Sequence, residues 1–159
     1  MHNPRSLLGR VRRAVRAFRA CTWRERRELI GAVCTAGVVA GLLYTCSFRR
    51  TLQVLNGWAQ VHLSSSPPSE DVEDRILWAT EVACQRLLPE RPCLTQALTA
   101  RVLLMRRGAR VPELQIGVKH QSDGTLEAHA WLERDQEVLI GGEEAPATYR
   151  PLRGRLDIS

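Results

Sequence analysis

The 159 residues, 44% hydrophobic and 25% charged, suit one ordinary domain with a modest extension and allow a substantial core. Cys21, Cys34, Cys46, Cys84 and Cys93 are an odd number without a close CxxC pair, and no cleavable signal sequence is visible, so the chain reads as cytoplasmic with free thiols and not as a disulfide framework. His2, His62, His120 and His129 are scattered without H-x-x-x-H spacing, which excludes a recognisable metal site; no cofactor motif is identified.

The formal charge of +6 is concentrated at the start, where nine arginines fall between Arg5 and Arg27. Val11, Ala14, Val15 and Phe18 trace an apolar stripe among them, which predicts a basic amphipathic helix. Such a helix is a solvated face or a docking surface for a partner or anionic lipid. Nucleic acid is not expected, because no recognition module or aromatic stacking platform accompanies the arginines.

Thr22 and Glu25 form a capping box for a second helix, which runs into the apolar stretch from Gly31 to Phe48. Its length approaches a membrane span. Gly31, Gly37 and Gly41 with Thr35, Thr45 and Ser47 dilute its hydrophobicity, so it reads first as a core or partner-binding helix, with membrane contact through the arm as the second expectation. Phe48 to Leu52 is expected to close this helix. The run SSSPPS at 64–69 is the clearest linker, dividing a helical arm (1–63) from a second unit (70–159).

Ser69, Glu70, Asp71 and Glu73 cap the next helix, whose inner stripe is Val72, Ile76, Ala79 and Val82 or Ala83, with Trp78 expected in the core. After Leu88-Pro89 the chain reaches Pro92 and Cys93, opening the helix PCLTQALTARVLLM. A thiol in the first helical turn lies at the positive end of the macrodipole, where a thiolate is favoured. Leu94, Ala97, Leu98, Val102 and Met105, widened by Ala100, Leu103 and Leu104, make this helix apolar nearly all round, so it should be buried. Arg106-Arg107-Gly108 provides its stop. LQIGV at 114–118 and Leu126 to Glu133 read as strands around the turn QSDGT. Alternation puts Leu126, Ala128, Ala130 and Leu132 on one face and Glu127, His129, Trp131 and Glu133 on the other. If the second face covers the start of the cysteine helix, His129 can take the Cys93 proton and Trp131 can shield the pair and meet substrate. The plainer alternative makes Cys93 a small buried hydrophobe and His129 a hydrogen-bonded structural residue. The tail Tyr149-Arg150-Pro151-Leu152 reads as extended, without chemistry.

The Cys93-Leu94 helix start, RRGA at 106–109, LQIGV and above all AHAW at 128–131 resemble the transglutaminase-like cysteine peptidase domain of lasso-peptide biosynthesis, the microcin-processing class, over about residues 70–150. The resemblance implies an α+β fold: N-terminal helices, then a papain-like or transglutaminase-like core in which the cysteine helix packs on a small antiparallel sheet. It implies that Cys93 attacks the leader–core bond of a precursor peptide while His129 acts as general base, then acid. A separate leader-recognition protein and an asparagine-synthetase-like cyclase would be its partners. The family's third residue, an Asp about a dozen positions beyond the His, falls here on Gly141. Glu143, one step along the hairpin, is the first candidate to orient the imidazole; Asp135 reads better as a turn residue, and a backbone carbonyl is the remaining option. A non-catalytic scaffold of a maturation complex and an acyltransferase or true transglutaminase are the rival functions.

Overall fold

The computed structural model describes residues 21–60, 67–87, 93–122 and 124–152. The basic helix expected over 5–27, most of the 64–69 linker and the loop before Cys93 therefore lie largely outside the described residues.

Helix α1, Trp23–Thr45, starts on the expected capping box: the Thr22 side chain accepts from the Glu25 N–H, and the Glu25 carboxylate accepts from the Thr22 N–H at 2.6 Å. One expectation is corrected immediately downstream. Phe48 to Leu52 does not close α1; Cys46 and Ser47 are extended, and a separate helix α2 runs from Phe48 to Ala59. The physical reason lies in burial, because Thr51, Leu52, Leu55 and Ala59 recur at helical spacing and pack inward once the chain has turned.

Helix α3 spans Glu70–Leu87 with Glu70, Asp71 and Glu73 in its first turn, and helix α4 spans Cys93–Arg106. The end of α4 is a Schellman motif: Gly108, with φ of 76°, donates to the Met105 carbonyl at 2.9 Å and Ala109 to the Leu104 carbonyl at 3.0 Å. The two arginines of the stop do more than face the macrodipole. Arg106 lies over the Trp58 ring at 4.9 Å, and Arg107 grips both Glu28 oxygens at 2.8 and 2.9 Å.

The sheet has strands β1 (Glu113–His120), β2 (Leu126–Arg134), β3 (Glu137–Ile140) and β4 (Arg150–Pro151) in the order β3-β2-β1-β4, every neighbour antiparallel. Asp135 and Gln136 both have positive φ, 54° and 70°, as a two-residue type I′ hairpin turn requires. A single turn, α5 (Ala145–Thr148), separates β3 from β4.

Helix α4 is the hub. Its Leu98 and Val102 pack with Val39, Leu52, Leu55 and Ala59 of α1 and α2, while Ala97 and Ala100 pack with Ala130, Leu132 and Ile140 of the sheet. Leu104 joins Ile76 of α3, and α1 meets α3 through Leu29, Ala32, Ala79 and Ala83. Helices on both sides of residues 64–69 thus share one interior. Trp78 departs from its expected core position: it is 39% exposed, because the buried stripe of α3 runs through Ile76, Ala79, Thr80 and Ala83.

The Glu28–Arg107 pair clamps α1 to the end of α4 with Glu28 8% and Arg107 21% exposed. Glu28→Ala leaves a guanidinium without its partner and should cost about 2–4 kcal/mol, since breaking one side of a buried pair strands the other charge; urea denaturation followed by circular dichroism measures this.

Candidate active site

Cys93 is the first residue of α4 and is half-buried, so its thiol occupies the helix end where unpaired N–H groups collect. His129 projects from β2. Its Nε2 lies 2.6 Å from the carbonyl oxygen of Gly141, twelve residues on. A carbonyl can only accept, so Nε2 carries a proton, and in the neutral tautomer that satisfies this bond the free lone pair falls on Nδ1.

The bond depends on a glycine. Gly141 has φ of +110°, and a Cβ there would fall 2.6 Å from the Trp131 Cβ, so no other residue presents this carbonyl without strain. Glu143 is exposed and lines an open cleft of about 280 Å³ with Trp78, Glu81 and Val138. Among the described residues no hydrogen bond links Glu143 to His129; the Gly141 carbonyl occupies the orienting position. Asp135 is the turn residue and pairs with Arg110 at 2.7 Å.

Two aromatic rings hold the imidazole. Tyr149 stacks on it with centroids 4.8 Å apart and 21° between planes, and Trp131 lies beyond at 6.3 Å and 20°. Trp131 is 1% exposed. It has almost no surface to offer a substrate and packs instead against Gly117 and Gly141, where there is no side chain. The Tyr149 hydroxyl donates to Glu127 at 2.8 Å, and Glu127 pairs with Lys119 at 3.1 Å, whose ammonium lies 4.8 Å from the Tyr149 ring centre. The Tyr149 hydrogen bond, then that of Lys119, keeps the Glu127 carboxyl below the usual carboxylate range; Glu127 in turn raises Lys119.

The register assigns the faces. β1 and β2 pair without a slip from Glu113↔Glu133 to His120↔Leu126, so alternation holds throughout. Ala130 and Leu132 meet α4; His129, Trp131 and Tyr149 therefore occupy the opposite face. The histidine face is turned from the body of α4, and among the described residues no hydrogen bond joins the Cys93 thiol to His129. The structure builds a thiol at a helix mouth and an oriented imidazole, with the β2 strand between the body of α4 and the ring. Sequence reasoning missed Tyr149, for which no motif signalled, and Gly117, whose pairing with His129 across the ladder becomes legible only once the register is known.

A helix that opens on cysteine, packed on an antiparallel sheet bearing histidine, is the plan of thiol-dependent acyl-transfer proteins. The family model described as the transglutaminase-like superfamily matches residues 42–154, a span that includes both Cys93 and His129, and the chain belongs to that superfamily. The superfamily includes cysteine peptidases and transglutaminases and is generally catalytic. No curated protein and no solved structure matches the chain.

Gly141→Ala should destabilise the fold by about 2 kcal/mol or more through strain at positive φ and the clash with Trp131, and should release His129 Nε2 from its carbonyl; nitrogen-15 shifts of the imidazole report the lost bond. Cys84, fully buried, has its thiol pushed up to about 11 by burial, partly offset by the Thr99 hydroxyl. Cys84 should therefore stay unalkylated by iodoacetamide at neutral pH in the folded protein while Cys93 reacts, as peptide mass spectrometry will show.

Proposed function

We propose that this protein is a cysteine peptidase that removes the leader from a ribosomally made lasso precursor peptide, with Cys93 as nucleophile and His129 as general base and acid. The observation that carries the reading is the 2.6 Å bond from His129 Nε2 to Gly141 O, at the chain position where the resembled peptidases have their acid. It leaves Nδ1 as the basic nitrogen of the neutral ring, the arrangement a thiol's proton acceptor needs. Cys93 at the mouth of α4 and the superfamily match across both residues support the same reading.

In this mechanism Nδ1 takes the thiol proton and sulfur adds to the carbonyl carbon of the leader–core bond. Collapse of the tetrahedral adduct breaks the C–N bond as the imidazolium returns its proton to the departing amine. Water then cleaves the thioester, releasing the leader's carboxylate and restoring the thiol. The oxyanion falls to the Cys93 backbone N–H at the helix end. Proton transfer requires sulfur and Nδ1 within hydrogen-bonding reach, so the precursor must seat with a shift that brings the β2 end and the α4 mouth together. A separate recognition protein delivers the precursor in the cytoplasm, and an asparagine-synthetase-like cyclase takes the freed core.

One observation favours a second reading, a non-catalytic scaffold of the same maturation complex: His129 faces away from the body of α4. Passing the acyl group to an amine, as a transglutaminase does, would use the same two residues.

Reconstitution with precursor, recognition protein and cyclase separates these functions. Cys93→Ala and His129→Ala should each cut leader removal by roughly a thousandfold or more, read by mass spectrometry. Leader removal that survives Cys93→Ala overturns the assigned nucleophile. A Cys93 thiol that titrates like a free cysteine by rate of alkylation against pH, with wild type inactive, assigns the scaffold; an amine adduct formed when amine is added assigns acyl transfer.

A further inference from the structure

Among the described residues the outer face of α1 has no partner. Trp23, Ile30, Val33, Val38 and Tyr44 are 79%, 55%, 41%, 47% and 92% exposed, and at helical spacing they fall on one side, with Cys34, Gly37 and Gly41 between them. No charged residue occurs from Leu29 to Phe48. From Ile30 to Tyr44 the stripe is about 21 Å long at 1.5 Å per residue. Single exposed apolar residues need no explanation, but a contiguous apolar stripe of this length does.

We infer that this face docks flat on an anionic phospholipid bilayer. Charge and aromatic placement favour that occupant. Arg24 and Arg27 are exposed at one end of the stripe and Arg49 and Arg50 at the other; Arg27 remains 64% exposed despite its 3.5 Å contact with Glu28. The nearby carboxylates are engaged, Glu25 by Thr22 and Glu28 by Arg107. Trp23 and Tyr44 stand at the two ends, where amphipathic rings suit the headgroup level. Each basic side chain near an anionic leaflet strengthens the attraction.

The same charges argue against a second copy of the chain as the occupant. Two α1 helices laid face to face, parallel or antiparallel, bring arginines against arginines at both ends.

The helix lies in the membrane plane and does not cross it. At 23 residues, with a mean hydropathy of 1.6 over its best 18-residue window, it is long and apolar enough to span. Its inner face is committed, however: Glu28, Leu29, Ala32, Thr35, Ala36 and Val39 are buried, and Glu28 is bound to Arg107. Spanning would strip that face from α3 and α4, whereas in-plane docking uses only side chains already in solvent.

The test is co-sedimentation of the full chain with vesicles of equal parts phosphatidylcholine and phosphatidylglycerol, against phosphatidylcholine alone. Binding should require the anionic lipid and weaken with added salt. Val33→Asp with Val38→Asp should lower the bound fraction about tenfold or more, since it puts charge where two apolar side chains are buried in the interface; the circular dichroism spectrum should not change. Arg49→Glu with Arg50→Glu, at the stripe's edge, should weaken binding without touching the apolar face. Wild-type protein that stays in the supernatant, or variants that pellet like wild type, overturn the proposal. A wild-type dimer in light scattering that ignores vesicles and is split by the aspartate pair assigns the face to a second copy. None of these outcomes depends on peptidase activity.

Discussion

The structure depends on how closely α4 lies on β2. Ala97 and Ala100 on the helix meet Ala130 on the strand, and these small side chains let the two backbones approach where larger residues would hold them apart. That contact fixes which face of the sheet turns inward. Because α4 is apolar nearly all round, the sheet covers only one side of it, and α1, α2 and α3 are needed to cover the rest. The N-terminal helices are therefore part of the same interior as the cysteine helix, not an appendage to it.

The outer face of the sheet is assembled from the last third of the chain. Gly141 supplies a carbonyl to His129, and after one helical turn the chain returns so that Tyr149 caps the imidazole and the Leu152 N–H reaches the Ile116 carbonyl. Glycines at 117 and 141 make room for Trp131 beneath the ring. The partner of the imidazole is thus a backbone carbonyl. It orients the ring through a dipole instead of a net charge, and the orientation depends on the conformation of a single glycine.

Much of this was legible in the residues. The Thr22–Glu25 box, the glycine stop after α4, the hairpin turning on Asp135-Gln136 and the shared face of His129 and Trp131 follow from local chemistry and period-two alternation, which act over a few residues. The α+β order was legible for the same reason. The break at Cys46-Ser47 was not, because neither residue is a strong helix breaker and the two helices separate only to bury different stripes. Trp78 was misplaced because an aromatic on a helix with several apolar positions does not by itself reveal which stripe turns inward. A backbone carbonyl stood among the candidates to orient His129, behind Glu143, but every residue carries one; only the φ of Gly141 singles this one out. Alternation defines two faces of β2 without saying which one meets α4. The alanines at 128 and 130 were the available clue, since a helix packs closely only on small side chains.

The sheet's two borders have a further consequence. β3 is four residues long, and β4 is two, one of them Pro151, which has no N–H to donate. Rows of unpaired backbone groups invite a strand from another molecule, and short, proline-blunted margins offer it little to grip. The long strands β1 and β2 lie inside the sheet, protected from edge-to-edge aggregation. A strand arriving from another molecule finds, among the described residues, no long ladder to join at either border.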